Sequence, residues 1–328
     1  MSEKFYLEEA LISKSKQGNN QGHSSVDTEI SSSSEKPSNK VTFEIVDKQS
    51  LNEYHIFKES KLLINKYGIT FFDTLKKEDI SFNQDNLTRH SLSPNTRAKM
   101  VDWMLEIFRS YKSEPRTFFL SVYIMDLYLQ KTFFSISNDD IHIIGLCCIY
   151  IASKMEDLLP IHLNHIVNKI GYNKFTQNQI QKKEKEILAT IDFELIHSSV
   201  YDFVKTFLLD FSFNNQEIVK VYMNNAFTLF EDICIYLSKL SCLSWEFSFF
   251  SNYLKGVCVL VLGFDILRSR GEGVDKNVEI FLREWINFVI KESQIDKDEL
   301  STVYEKLMML YQLNISGGIG AYLLTQNK

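Results

Sequence analysis

Apolar side chains recur at intervals of three and four residues from about Leu51 to the C-terminal region, the spacing that lines one face of an α-helix. Residues 13–50 differ: they are rich in Ser, Asn, Gln and Lys, include the run Ser31 to Ser34, and hold few apolar positions to offset the entropy of ordering. The pattern predicts a disordered tail over residues 1–50 followed by a chain that is nearly all α.

Local punctuation predicts where the helices begin and end. Ser93-Pro94 is an N-cap followed by a first-turn proline and opens a helix to about Tyr111. Ser113-Glu-Pro115 opens the next in the same way. Asn138-Asp-Asp140 supplies acceptors and negative charge for the start of a third helix, which continues to about Lys154. Thr176-Gln-Asn-Gln179 has the spacing of a capping box, before a helix ending near Ile191, and Gly171 punctuates the loop ahead of it. This makes roughly five helices between Ser93 and Leu195. Ser198-Ser199 caps another, and apolar-periodic stretches near 199–211, 216–240, 252–270, 275–292 and 296–313 form a second five-helix unit. No short repeat with recurring identities is present, so two tandem bundles fit better than a solenoid. The expected division is 1–50 tail, 51–197 an extra N-terminal helix plus the first bundle, and 198–328 the second.

With 328 residues, 45% of them hydrophobic and 24% charged, the chain can bury a real core. A net charge of −6 lacks the positive field a nucleic-acid binder needs, so neither DNA nor RNA is expected as a partner. The five cysteines are odd in number, lie in apolar helical runs and form no C-x-x-C pair, which predicts reduced, buried thiols. The chain opens on acidic and polar residues with no secretory signal. Its longest apolar stretch, around Val257 to Leu262, falls short of the roughly twenty residues that span a bilayer, so no membrane partner is expected. No nucleophile motif or phosphate-cradling loop stands out: Gly317-Gly-Ile-Gly320 has no following Lys-Ser or Lys-Thr. His162-x-x-His165 has ligand-like spacing but no third donor nearby, so neither metal nor cofactor is expected. The chain reads as a binding protein and not as an enzyme.

Candidate contact residues fall on three helices. On the first, Val101, Leu105 and Phe108 form one apolar row, while Met100, Trp103 and Ile107 form another, which calls for either packing on two sides or an exposed docking patch. The third, Ile141 to Ala152, is apolar nearly all round and carries the small residues Gly145, Cys147, Cys148 and Ala152, so it should be the central helix of its bundle, with Lys154 suited to its negative C-terminal end. On the fifth, Glu184 lies in the apolar stripe of Ile180, Ile187 and Leu188, where a half-buried carboxylate needs a partner.

The stretches TRAKMVDWMLEI (Thr96 to Ile107) and IYIASKMED (Ile149 to Asp157), about fifty residues apart, resemble the two signature segments of the cyclin box, in particular that of mitotic A- and B-type cyclins. The resemblance runs with specific motifs from about Tyr67 to Phe207 and only by pattern beyond. It implies two tandem five-helix cyclin folds, a nuclear and cytoplasmic protein, and a regulatory subunit that activates a cyclin-dependent protein kinase in cell-cycle progression. The alternative is a cyclin-fold adapter or transcription-associated scaffold without that activity. By resemblance, Lys154 and Glu184 bind main-chain groups of the kinase, surrounded by Ile151, Met155, Leu188, Phe193 and Leu195, with Tyr67 and Phe71 on a preceding helix that Tyr54 to Leu62 could supply instead. Met100, Trp103 and Glu106 match a patch that recruits kinase substrates, although Thr96 and Lys99 depart from its usual apolar residues. Arg97 and Asp126 match a buried pair that ties the first helix to the second. Arg89-His-Ser-Leu92 fits a minimal arginine-leucine destruction signal.

Overall fold

The computed structural model describes residues 75–79, 81–82, 89–270 and 276–317. The expected tail over 1–50, the helix expected to carry Tyr67 and Phe71, and its alternative over Tyr54 to Leu62 lie outside the described residues. The described residues form helices and connecting turns, with one isolated bridge, Ser91 to Ser137, and no strand.

Helix α1, Pro94–Tyr111, starts where the Ser93 Oγ accepts the Thr96 amide at 3.1 Å, and stops where Lys112 turns left-handed with φ 55°. Helix α2 is Pro115–Lys131 and α3 is Ile141–Glu156. Asp140 does not cap α3 with its side chain. Its carboxylate turns back to accept the Ser137 amide and hydroxyl at 3.0 and 2.7 Å, which hold its pKa down. Helix α4, Leu163–His165, runs into a π turn, Ile166–Ile170, that closes at Gly171. Helix α5, Gln177–Thr190, opens with the complete Thr176/Gln179 capping box. Around α3 pack α1, α2, α5 and the π turn, so α3 is the enclosed helix of this bundle.

The second group begins with α6, Val200–Asn214, capped reciprocally by Ser199 and Asp202. The single stretch expected over 216–240 is divided: α7, Gln216–Ile218, passes through a π turn, Val219–Met223, before α8, Asn224–Ser241. A π turn adds one residue to a helical turn and so shifts the register of the face that follows. After a 3₁₀ turn, Trp245–Phe249, come α9, Asn252–Arg270, α10, Lys276–Ser293, and α11, Lys297–Gly317. Helix α9 takes the central place here, packed against α6, α8, α10 and α11. Its glycines permit the approach: a Cβ on Gly263 would lie 2.8 Å from the Cys234 sulfur of α8.

Several connections among the described residues join the two groups. Helix α2 packs on α6, and α1 packs on the 3₁₀ turn. The Arg116 guanidinium of α2 donates to Asp202 Oδ1 of α6 from Nε at 2.8 Å and from Nη2 at 2.5 Å. A short strap before α1 spans the junction: Asp79 accepts the Asn252 and Tyr253 amides at 2.8 and 3.0 Å, capping α9, and the Phe82 amide donates to the Ser248 carbonyl.

Two measurements test this packing. A Cβ on Gly145 would sit 2.3 Å from the Met100 sulfur, so Gly145→Val should cost about 1–3 kcal/mol in urea unfolding, and Met100→Ala in the same chain should recover part of that loss. On α6, half-buried Asp210 accepts from Asn214 at 3.0 Å, and burial lifts its carboxyl to about 6. The folded state then holds the proton more tightly than the unfolded chain, so this group weakens the fold as pH rises from about 4 to 6. Asp210→Asn keeps the acceptor for Asn214 and should stabilise the chain at pH 7 by up to about 2 kcal/mol, the gain closing below about pH 4 in paired thermal melts.

Candidate partner-binding site

The end of α3 is held firmly by one carboxylate. Asp157 accepts the Ser113 and Ser153 hydroxyls at 2.8 and 2.9 Å, the Thr117 hydroxyl at 2.6 Å and the Glu114 amide at 3.2 Å. It thereby docks the α3 terminus against the start of α2, whose own N-cap residue Glu114 makes no side-chain capping bond. The Ser153 hydroxyl in turn accepts the Ile161 amide at 2.8 Å, fixing the return of the following loop.

On this support stands the polar centre of the site. Lys154, in the last turn of α3, donates to Glu184 of α5, and its ammonium lies 4.2 Å from the centre of the Tyr150 ring one turn earlier. Glu184 is the more enclosed of the two, with 13% of its side chain exposed against 37% for Lys154. The pair therefore reaches the surface from an apolar base, its Lys154 end in reach of solvent.

Around it the expected contact residues divide. Met155 and Phe193 are largely exposed, at 55% and 67%, and Leu188 and Leu195 are half-buried. Phe193 follows Asp192 through two successive left-handed residues, φ 59° and 57°, after α5 ends, which turns its ring outward. Ile151 is a correction: at 2% exposure it lies beneath the surface, because its position on α3 faces the neighbouring helices and not the open side. Leu158, Leu159 and Ile196 are strongly exposed and were not singled out from sequence. Their signal was an apolar pair ahead of Pro160 and an isoleucine past the end of α5, in segments with no helical period to mark them.

On α1 the second apolar row splits in the same manner. Met100 is a further correction: it is 8% exposed, with its sulfur against Gly145 of α3, and so belongs to the core. Trp103 is half-buried, edge-on to His142 of α3 at 5.1 Å, and His142 lies 5.5 Å from Phe175. Glu106 is exposed.

Arg97 and Asp126 are brought together inside the fold. Arg97 is 1% exposed; its Nε and Nη2 donate to the two carboxylate oxygens at 2.7 and 2.6 Å. Its Nη1 donates to the Cys242 carbonyl at 3.0 Å, and its guanidinium lies 5.0 Å from the Trp245 ring centre. The link thus extends past α2 into the second group of helices, which the sequence reading did not anticipate.

Other candidate features find structural places. Arg89 donates to the Leu129 and Gln130 carbonyls at the end of α2, His90 bonds the Leu129 carbonyl at 2.7 Å, and Leu92 is buried. The Arg89-to-Leu92 motif is therefore part of the fold and is not a free linear segment. The His162 and His165 rings stand 6.2 Å apart, and no group of three His, Cys, Asp or Glu residues suited to a metal occurs among the described residues. All five cysteines are free thiols, and burial pushes Cys147 and Cys258 up to about 12. No helix of the described residues is long and apolar enough to cross a membrane.

Residues 69–196 match the family model for the cyclin N-terminal domain. The chain is 24% identical over 232 residues to Cyclin-A3-2 of Arabidopsis thaliana, a stretch covering 69% of this chain and 59% of that protein. It is 28% identical over 116 residues to the G2/mitotic-specific cyclin-A of Drosophila melanogaster, covering 35% of this chain and 23% of that protein. Among solved structures, the X-ray structure of a viral cyclin from herpesvirus saimiri aligns with a TM-score of 0.48 at 17% identity, over 67% of this chain and 87% of that one.

Because the Arg97 pair is enclosed, removing one partner strands a buried charge. Arg97→Ala should destabilise the chain by about 3–5 kcal/mol in denaturant unfolding, whereas the double replacement Arg97→Met, Asp126→Leu should cost distinctly less than the single one.

Proposed function

Residues 69–196 match the cyclin N-terminal domain, and from that similarity we propose that the chain is a cyclin-family protein and the non-catalytic regulatory subunit of a cyclin-dependent protein kinase. The observation that carries this reading is the Lys154–Glu184 pair, a solvent-reaching ion pair on a rigid base, rimmed by exposed Met155 and Phe193 and half-buried Leu188 and Leu195.

The arrangement suits a partner backbone. Lys154 offers ammonium protons and Glu184 carboxylate lone pairs, so together they can meet carbonyl and amide groups at the end of a partner helix. The apolar rim excludes water from those bonds on docking, which strengthens them. Leu158 and Leu159, which follow α3, and Ile196, which follows α5, are also strongly exposed and are further candidates for the apolar contact. A regulatory contact of this kind commonly buries about 2,000 Å² or more in total.

Activation then follows from selection of one kinase conformation. Docking presses the regulatory helix of the kinase inward, so that its glutamate meets the ATP-binding lysine and the activation segment opens. The chain supplies binding free energy that differs between the active and inactive kinase states, and takes no part in the chemistry. Recruitment of kinase substrates through α1 rests on Trp103 and Glu106, since Met100 is enclosed. Residence in both nucleus and cytoplasm belongs to the same proposal.

The experiment compares kinase recovered with the wild-type chain and with a Lys154→Ala, Glu184→Ala variant. This surface-reaching pair contributes little to folding, roughly 1 kcal/mol or less, so the variant should keep its helicity by circular dichroism. Kinase affinity and co-purifying histone kinase activity should fall by at least about 30-fold, the scale of losing a charged contact in a desolvated interface. Equal kinase binding by both would sink the proposed site, and no kinase with either would favour the adapter reading.

A further inference from the structure

The methionines of this chain divide sharply by exposure. Of the eight, Met1 lies outside the described residues; Met100, Met104, Met125 and Met223 are buried and Met308 is half-buried. Among the described residues, Met155 and Met309 alone stand largely in solvent, at 55% and 59% exposure. Met309 is on α11, which packs on α8 and α9 of the second group. Met155 is in the last turn of α3, directly after Lys154, and the strongly exposed Leu158 and Leu159 follow it along the chain.

An exposed thioether is open to peroxides, whereas the other sulfur atoms are shielded. Burial raises the pKa of all five cysteines, which holds them as thiols and suppresses the thiolate that reacts with oxidants. The Met155 sulfur can give an electron pair to the near oxygen of hydrogen peroxide: the sulfur–oxygen bond forms, the oxygen–oxygen bond breaks, and the far oxygen leaves as water after taking up the proton. The thioether is oxidised to the sulfoxide and the peroxide is reduced.

A thioether on the rim of a docking surface is flexible and apolar, and adapts to an irregular partner face. The sulfoxide is polar and carries an oxygen that water hydrogen-bonds in the free chain. On docking that oxygen is stripped of water, at a cost unless the partner offers a donor. We propose that Met155 is an oxidation site that regulates the docking surface: hydrogen peroxide converts it to the sulfoxide in the free chain, and the oxidised chain binds its kinase more weakly. The inference rests on the kinase-binding reading above. Once the kinase is docked it covers Met155, so the assembled complex resists the oxidant that disarms the free chain. Reduction of the sulfoxide returns the surface to its apolar state.

The test treats the free, full chain with hydrogen peroxide, removes the oxidant with catalase, and measures affinity for the kinase recovered with untreated wild type. Peptide mass mapping should show one oxygen gained at Met155 and Met309 well before the buried methionines react. Helicity by circular dichroism should be unchanged, since the sulfoxide forms outside the core. Kinase affinity should fall by about tenfold or more, the scale of desolvating one polar group without a partner. Met309→Leu should keep that full response, and Met155→Leu, whatever its starting affinity, should lose it. Methionine sulfoxide reductases should restore binding to the treated wild type. Peroxide applied to the assembled complex should spare Met155 and still oxidise Met309. An affinity unchanged by complete oxidation of Met155, or an equal loss in Met155→Leu, overturns the inference and leaves the kinase reading standing. An untreated chain that binds no kinase overturns both.

Discussion

A guanidinium cannot be withdrawn from water unless its donors are met, and Arg97 is almost completely withdrawn. Two of its nitrogens bond Asp126 of α2, a third bonds the Cys242 carbonyl just past α8, and the Trp245 ring lies against its face. Each contact demands its own position and direction, so α1, α2 and the segment entering the 3₁₀ turn have one relative arrangement that satisfies all of them. Helix α3 packs against both α1 and α2 and inherits that arrangement. The placement of Lys154 at its end is a consequence.

The candidate surface is built in two layers. Beneath it, Ile151 is enclosed and Asp157 gathers four donors from α2, α3 and their flanks. Above it, Met155 and Phe193 stand in solvent beside the chain segments that carry the polar pair. A flexible rim alone would lose much of its binding free energy to ordering; a rim on a fixed frame loses less. Regulation by docking requires this combination, because the geometry offered to the partner has to favour one of its conformations.

Much of this was readable in advance because the signals are local. The Ser93 cap with Pro94, the Thr176/Gln179 box and the central place of α3 follow from side chains within one or two turns of one another. The Lys154 and Glu184 positions were legible through two short motifs and an apolar stripe interrupted by a carboxylate. Met100 was drawn from a periodic apolar row and Ile151 from the resemblance, and neither source says which neighbouring helix covers a given position. Asp140 had the residue type of a cap yet bonded backwards to Ser137, since two local partners competed and the turn geometry chose.

The sequence by itself determined the helical class and most helix boundaries, because those depend on interactions a few residues apart along the chain. Only the tertiary structure decided that Asp157 anchors α3 through residues about forty positions earlier, that Arg97 reaches Cys242 145 positions away, and that Lys255 and Tyr123 face one cavity. Such contacts depend on how whole helices are stacked. That stacking is set by the summed packing and charge compensation of the core, and no single stretch of the chain encodes it.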